Sequence, residues 1–148
     1  MTDEQTWFHI DFGNVEEICY AISLARQFAY KERLGGSEFE PLEERIRIDI
    51  EGFTMWICAR DEKDNGVEYR HDLAFSPFGN PAYAHLPKKI RPPDKVSFMI
   101  EPVNFCKYLT EFGSKAEIMR QMIVIRWKRA DAEVSIINWK VTSKRRPL

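Results

Sequence analysis

The stretch FHIDFGNVEEICYAI, beginning at Phe8, is answered ninety residues later by FMIEPVNFCKYLTEF, beginning at Phe98. In the first, Phe8, Ile10 and Phe12 alternate with Trp7, His9 and Asp11, the period of two that marks a half-buried strand. Gly13 breaks the strand, Asn14 suits a helix N-cap, and Glu16 and Glu17 suit the first turn. Val15, Ile18, Cys19, Ile22, Ala25, Phe28 and Ala29 then recur at helical spacing, which predicts a helix to about Leu34, stopped by Gly35-Gly36. The second stretch repeats this grammar. KVSFMIE reads as a strand, Pro102 suits an early helical position, and Val103, Phe105, Cys106, Leu109 and Phe112 mark a helix ended by Gly113.

The segments after the two helices also correspond. RIRIDIE sets Ile46, Ile48 and Ile50 against Arg45, Arg47 and Asp49, a tight turn at Glu51-Gly52 leads into FTMWICAR, and Asp64-Asn65-Gly66 leads into VEYRHDLAF. After the second helix, MRQMIVIRW and AEVSIINWKVT read as a hairpin turning near Ala130-Asp131. Between the halves, SPFGNPAYAHLPKKIRPPDK is too rich in proline for regular structure and reads as a connection. With a shift of ninety, Phe8 meets Phe98, Ile10 meets Ile100, Asp11 meets Glu101 and Asn14 meets Asn104. The expectation is one α+β domain over residues 1–148, built from two β-α-β-β(-β) units (6–75 and 96–142) joined by 76–95. Each unit offers a sheet with one apolar face and a helix to cover it, so two antiparallel sheets and two helices, packed on one side, share a core.

The order FHIDFGNVEEICYAI, IRIDIEGFTMWICAR, VSFMIEPVNFCKYL, IVIRWKRADAEVSII resembles one domain of a DNA sliding clamp, or processivity factor. The resemblance is one of pattern over nearly the whole chain. It implies several such domains closing into a ring around duplex DNA, which makes a homo-oligomer or a mixed assembly the expectation. It also implies subunit contacts through edge strands, helices that face DNA, and a surface pocket for peptides of protein partners. On the second helix and just beyond it, Lys107 and Lys115 are then the candidate phosphate contacts.

Other features bound the chemistry. The net charge of −1 supplies no bulk attraction to nucleic acid, so any DNA contact has to come from local patches. Lys88, Lys89 and Arg91 cluster in the connection, and Lys144, Arg145 and Arg146 in the tail; these are either solubilising charges or further phosphate contacts. Trp7 and Trp127 read as lying on the polar side of their strands, near Arg126 and Arg129. That is the composition of a protein-binding hot spot, unless a loop covers the rings. No apolar run approaches the length that spans a bilayer, and the polar opening MTDEQTW is unlike a secretory leader. Cys19, Cys58 and Cys106 lie in apolar settings and read as free thiols of a cytoplasmic protein.

No catalytic or cofactor signature is present. Asp61, Glu62 and Asp64 read as a solvated turn rather than a calcium loop, and no CxxC, HxxxH, GxGxxG or GxxxxGK[ST] occurs. His71 and Asp72 are adjacent on a strand and point to opposite faces. The expectation is therefore a non-enzymatic binding protein, without cofactor or metal, that acts in DNA transactions on partner proteins, duplex DNA or both. The alternative is a small adaptor, immunity or inhibitor protein that holds one protein partner through a strand edge or an exposed tryptophan surface.

Overall fold

In a computed structural model of the chain, each of the two main sheets takes one strand from the opposite half of the sequence. The structure describes residues 6–29, 31–32, 43–44, 46–60, 66–78, 85, 87, 94–119 and 123–137. The elements run β1 (Thr6–Asp11), α1 (Val15–Arg26), β2 (Lys31–Glu32), β3 (Glu43–Glu44), β4 (Ile46–Glu51), β5 (Thr54–Arg60), β6 (Gly66–Asp72), β7 (Lys95–Ile100), α2 (Pro102–Phe112), β8 (Lys115–Met119), β9 (Val124–Lys128) and β10 (Glu133–Ile137). The first sheet has the order β1-β8-β9-β10 and the second β6-β5-β4-β7; every pairing in them is antiparallel. Thus β1 leaves its own half to pair with β8, and β7 leaves its own half to pair with β4. The short strands β2 and β3 form a separate ladder.

Alternation decides which side of each strand is buried. Phe8, Ile10 and Phe12 from the first strand and its extension, Ile46, Ile48 and Ile50 from β4, and Val96, Phe98 and Ile100 from β7 all enter one core. The helices close it. Helix α1 contributes Ile18, Ile22 and Ala25 and packs on β5 and β6, α2 contributes Phe105 and Leu109 and packs on β9, and the two helices touch each other.

Both helix starts use side-chain caps. Asn14 accepts the Glu17 amide at 3.0 Å, and Glu101 accepts the Asn104 amide at 2.7 Å, one residue before Pro102. Gly13 is required at the first of these junctions. Its φ is +92°, and a Cβ there would come 3.0 Å from His71 Nε2. That ring donates from Nε2 to the Phe12 carbonyl at 3.0 Å and faces Glu17 Oε1 with Nδ1 at 3.2 Å, so β6 is tied to the start of α1.

Three expectations are corrected. Helix α1 ends at Arg26 instead of near Leu34. Ala25 is its last buried position and Phe28 is 49% exposed; the chain leaves through tight bonds from the amides of 27–29 to the carbonyls of 24–26. Residues 115–119 form a strand, β8, where no strand was expected, with Ala116 and Ile118 inward and Lys115 and Glu117 outward. Lys115 therefore belongs to a sheet face and not to the helix side. Trp127 lies on the same side of β9 as Ile123 and Ile125 and is fully buried. The turn at 61–65 and Trp139 lie outside the described residues.

Candidate functional site

The outward side of the first sheet gathers charge because three neighbouring strands alternate in phase. Strand β1 presents His9 and Asp11, β8 presents Lys115 and Glu117, and β9 presents Arg126 and Lys128. In register, His9 stands opposite Glu117, Asp11 opposite Lys115, and Glu117 opposite Arg126. The segment Phe75-Ser76-Pro77 rises beside them and makes one wall of an open groove of about 530 Å³. Phe75 is 75% exposed at its rim, an apolar group with no covering neighbour among the described residues.

Glu117 is the centre of this face. Its Oε2 accepts from both Nε and Nη2 of Arg126, a forked contact in which Nε stands at 3.0 Å, and Lys128 Nζ lies 3.8 Å away. Burial by itself would raise the Glu117 carboxyl, but the Arg126 hydrogen bonds and the charges of Arg126 and Lys128 outweigh it and hold the group below its ordinary range. Asp11 is also engaged, accepting the Gly13 amide at 3.0 Å. The groove therefore carries Lys115, Arg126 and Lys128 against Asp11 and Glu117, a small positive excess beside an exposed phenyl ring. This chemistry suits an extended peptide with acidic and apolar side chains.

A folded carboxyl held low contributes stability above its unfolded range and loses that contribution as pH falls through the folded value. Glu117→Gln is expected to cost about 1 kcal/mol at pH 7 and to remove part of the wild-type loss of stability below about pH 4.5. Urea unfolding at a series of pH values checks this. Parallel curves for the two proteins down to about pH 3 would show that Glu117 does not supply that acid limb.

The residues singled out from the sequence fall in separate places. Lys115 and Arg126, assigned to different roles, meet in the groove. Lys107 is exposed on α2, away from it. Arg129 sits just past β9, where its Nη1 donates to the Glu111 carbonyl at 2.8 Å, its guanidinium lies 4.4 Å over the Phe112 ring, and Asp131 pairs with it at 3.3 Å. It fastens the β9–β10 turn to the end of α2. Trp7 is half-buried against the core, and its indole N–H is buried without a hydrogen-bond partner among the described residues. Trp127 cannot be a surface anchor, since none of it is exposed. Lys88, Lys89, Arg91, Lys144, Arg145 and Arg146 lie outside the described residues.

A second polar cluster lies on the outward side of the other sheet. Asp49 of β4 is 2% exposed and accepts from Ser97 Oγ at 2.5 Å, from Arg47 Nε at 3.2 Å, and from Cys58 Sγ at 3.7 Å. Burial first, and then the charge of Asp49, push the Cys58 thiol up to about 12, so it is a protonated thiol at neutral pH and a poor nucleophile. Among the described residues no group of three metal-ligating side chains converges, and no helix is long and apolar enough to cross a membrane.

The groove members that sequence reading overlooked are Glu117 and Lys128, together with Phe75. Alternation on β9 was the available signal, because Val124, Arg126 and Lys128 share the side opposite Ile123, Ile125 and Trp127. No protein-family model matches the chain, and no curated protein matches it either.

Proposed function

We propose that the chain is a non-enzymatic binding protein with a sliding-clamp-like domain, working in DNA transactions by holding protein partners, duplex DNA or both. The observation that carries this reading is the strand exchange. Each four-stranded sheet consists of three strands that follow one helix plus the strand that precedes the other helix. The two orders, β1-β8-β9-β10 and β7-β4-β5-β6, correspond element for element across the two halves of the sequence, and α1 and α2 lie side by side. A duplicated unit supplies both halves with the same pairing rule, and in this reading β6 and β10, the far edges of the two sheets, carry the subunit contacts.

The exposed charges on the helices are Glu16, Glu17 and Arg26 on α1, and Lys107 and Glu111 on α2. That balance favours protein over phosphate on this face, and it supports the second reading, a small adaptor or inhibitor that binds one protein through a strand edge. The two readings differ in what the protein does in solution. Light scattering across a range of concentrations measures native mass, and titration with duplex DNA at several salt concentrations measures phosphate contacts. A closed assembly of several copies, with duplex affinity falling steeply as salt rises, is the expected result. A monomer that ignores duplex DNA at low salt overturns the clamp reading and leaves the adaptor.

A further inference from the structure

Cys19 and Cys106 are separated by 87 positions in sequence, yet they face each other where α1 crosses α2. The Cys19 thiol donates to the Cys106 carbonyl at 4.0 Å, which sets Cys19 against the backbone of its partner. Both are free and half-buried, so a small reagent reaches them, whereas Cys58 is buried. Packed helices bring their axes to about 8–10 Å with Cα atoms about 2.3 Å from each axis. Directly facing Cα atoms at such a crossing are then about 3.4–5.4 Å apart, a range that overlaps the roughly 4.4–6.8 Å a disulfide needs.

We propose that Cys19 and Cys106 form a reversible disulfide that locks α1 to α2, with a low-molecular-weight disulfide such as oxidised glutathione as the oxidant. Cys19 gives up its proton and attacks one sulfur of the reagent, forming a mixed disulfide and releasing one glutathione thiolate. Cys106 then gives up its proton and attacks the Cys19 sulfur, the protein disulfide forms, and the second glutathione leaves. Two protein thiols are oxidised, one disulfide is reduced to two thiols, and the two protons pass through solvent to the departing thiolates. Burial, followed by the hydrogen bond from Cys19, pushes the Cys106 thiol up to about 12, so the second step is slow at neutral pH and quickens as pH rises.

The bond joins the helix of the first half to the helix of the second, so it fixes the one face to which both helices contribute. Spacing rules in sequence give no sign of it, because the partners belong to different halves. Its value to the fold comes from the long loop it closes in the unfolded chain.

The test is to incubate the folded full-length protein with oxidised glutathione and count free thiols after denaturation. Three thiols are expected to fall to one, with a Cys19–Cys106 link in the peptide map. The melting temperature is expected to rise by roughly 10 °C and to return after dithiothreitol. Cys106→Ser is expected to stop at the Cys19 mixed disulfide with no rise in melting temperature, while Cys58→Ser still cross-links. Should Cys106→Ser fold poorly, Cys19→Ser serves as the same control from the other helix. A wild-type protein that keeps three free thiols, or that accumulates glutathione on Cys19 without closing the link, overturns the proposal.

Discussion

Trp127→Ala is expected to destabilise the protein by about 3–5 kcal/mol, the range for removing a large aromatic side chain from a packed core. The indole has no exposed surface, and its Nε1–H donates to the Gly113 carbonyl at 3.1 Å. Around it stand Phe12 at 6.3 Å, Phe105 at 5.9 Å and Tyr108 at 6.0 Å between ring centroids, with Phe105 nearly edge-on at 71°. The ring thus joins the end of the first strand, the inner face of α2 and the cap residue of that helix. Truncation opens a cavity among rigid aromatic neighbours that relax little, and it strands the Gly113 carbonyl. Trp127→Phe keeps much of the volume, loses the hydrogen bond, and is expected to cost about 1–2 kcal/mol. Urea unfolding distinguishes these outcomes. A surface anchor for a partner would change stability by less than about 0.5 kcal/mol on truncation, and that result would put the indole outside the core.

Asp49→Ala is expected to be the next most damaging change, at about 3 kcal/mol. The carboxylate is buried on a sheet face that points away from the main core, and Ser97, Arg47 and Cys58 all donate to it. Removing one partner of a buried ionic pair leaves the other desolvated, which costs about 3–5 kcal/mol; Arg47 keeps 14% of its side-chain surface in water, which places the effect at the lower end. Asp49→Asn preserves shape and some acceptance, and is expected to cost about 1–2 kcal/mol. A second readout is independent of stability. Because the charge of Asp49 helps raise the Cys58 thiol, its removal is expected to make Cys58 react faster with a thiol reagent in the folded state, though burial, the larger cause, still restrains it. An unfolding free energy within about 0.5 kcal/mol of wild type, with unchanged thiol reactivity, would mean that water reaches this face.

The elements with strong periodicity were legible from residues alone. Phe8, Ile10 and Phe12, the Ile46-Ile48-Ile50 row, the capped start at Asn14 and Pro102 at the start of the second helix each announce their own conformation over a few neighbouring residues. Strand β8 did not, because KAEIM comes directly after Gly113-Ser114 and has only Ala116 and Ile118 as an inward pair ahead of Met119. The end of α1 was misplaced for a related reason. Its apolar spacing continues through Phe28 and Ala29, but spacing does not reveal whether a sheet lies beneath to receive the next turn. The groove was read in fragments: Lys115 and Arg126 were noticed for different roles, and Phe75 not at all, since nothing in a linear reading brings 9–11, 75–77, 115–117 and 126–128 together.

By itself, then, the sequence determined the local grammar of its strongly periodic stretches: whether each is helix or strand, where most of them stop, and which of their sides is apolar, because these depend on torsional preference and on periods of two and 3.6 residues. Partnership was decided only by the tertiary structure. That β1 joins β8, that β7 joins β4 and that Cys19 meets Cys106 all depend on pairings over long sequence separations, whose free energy comes from one shared core and cannot be assigned to any short window of the chain.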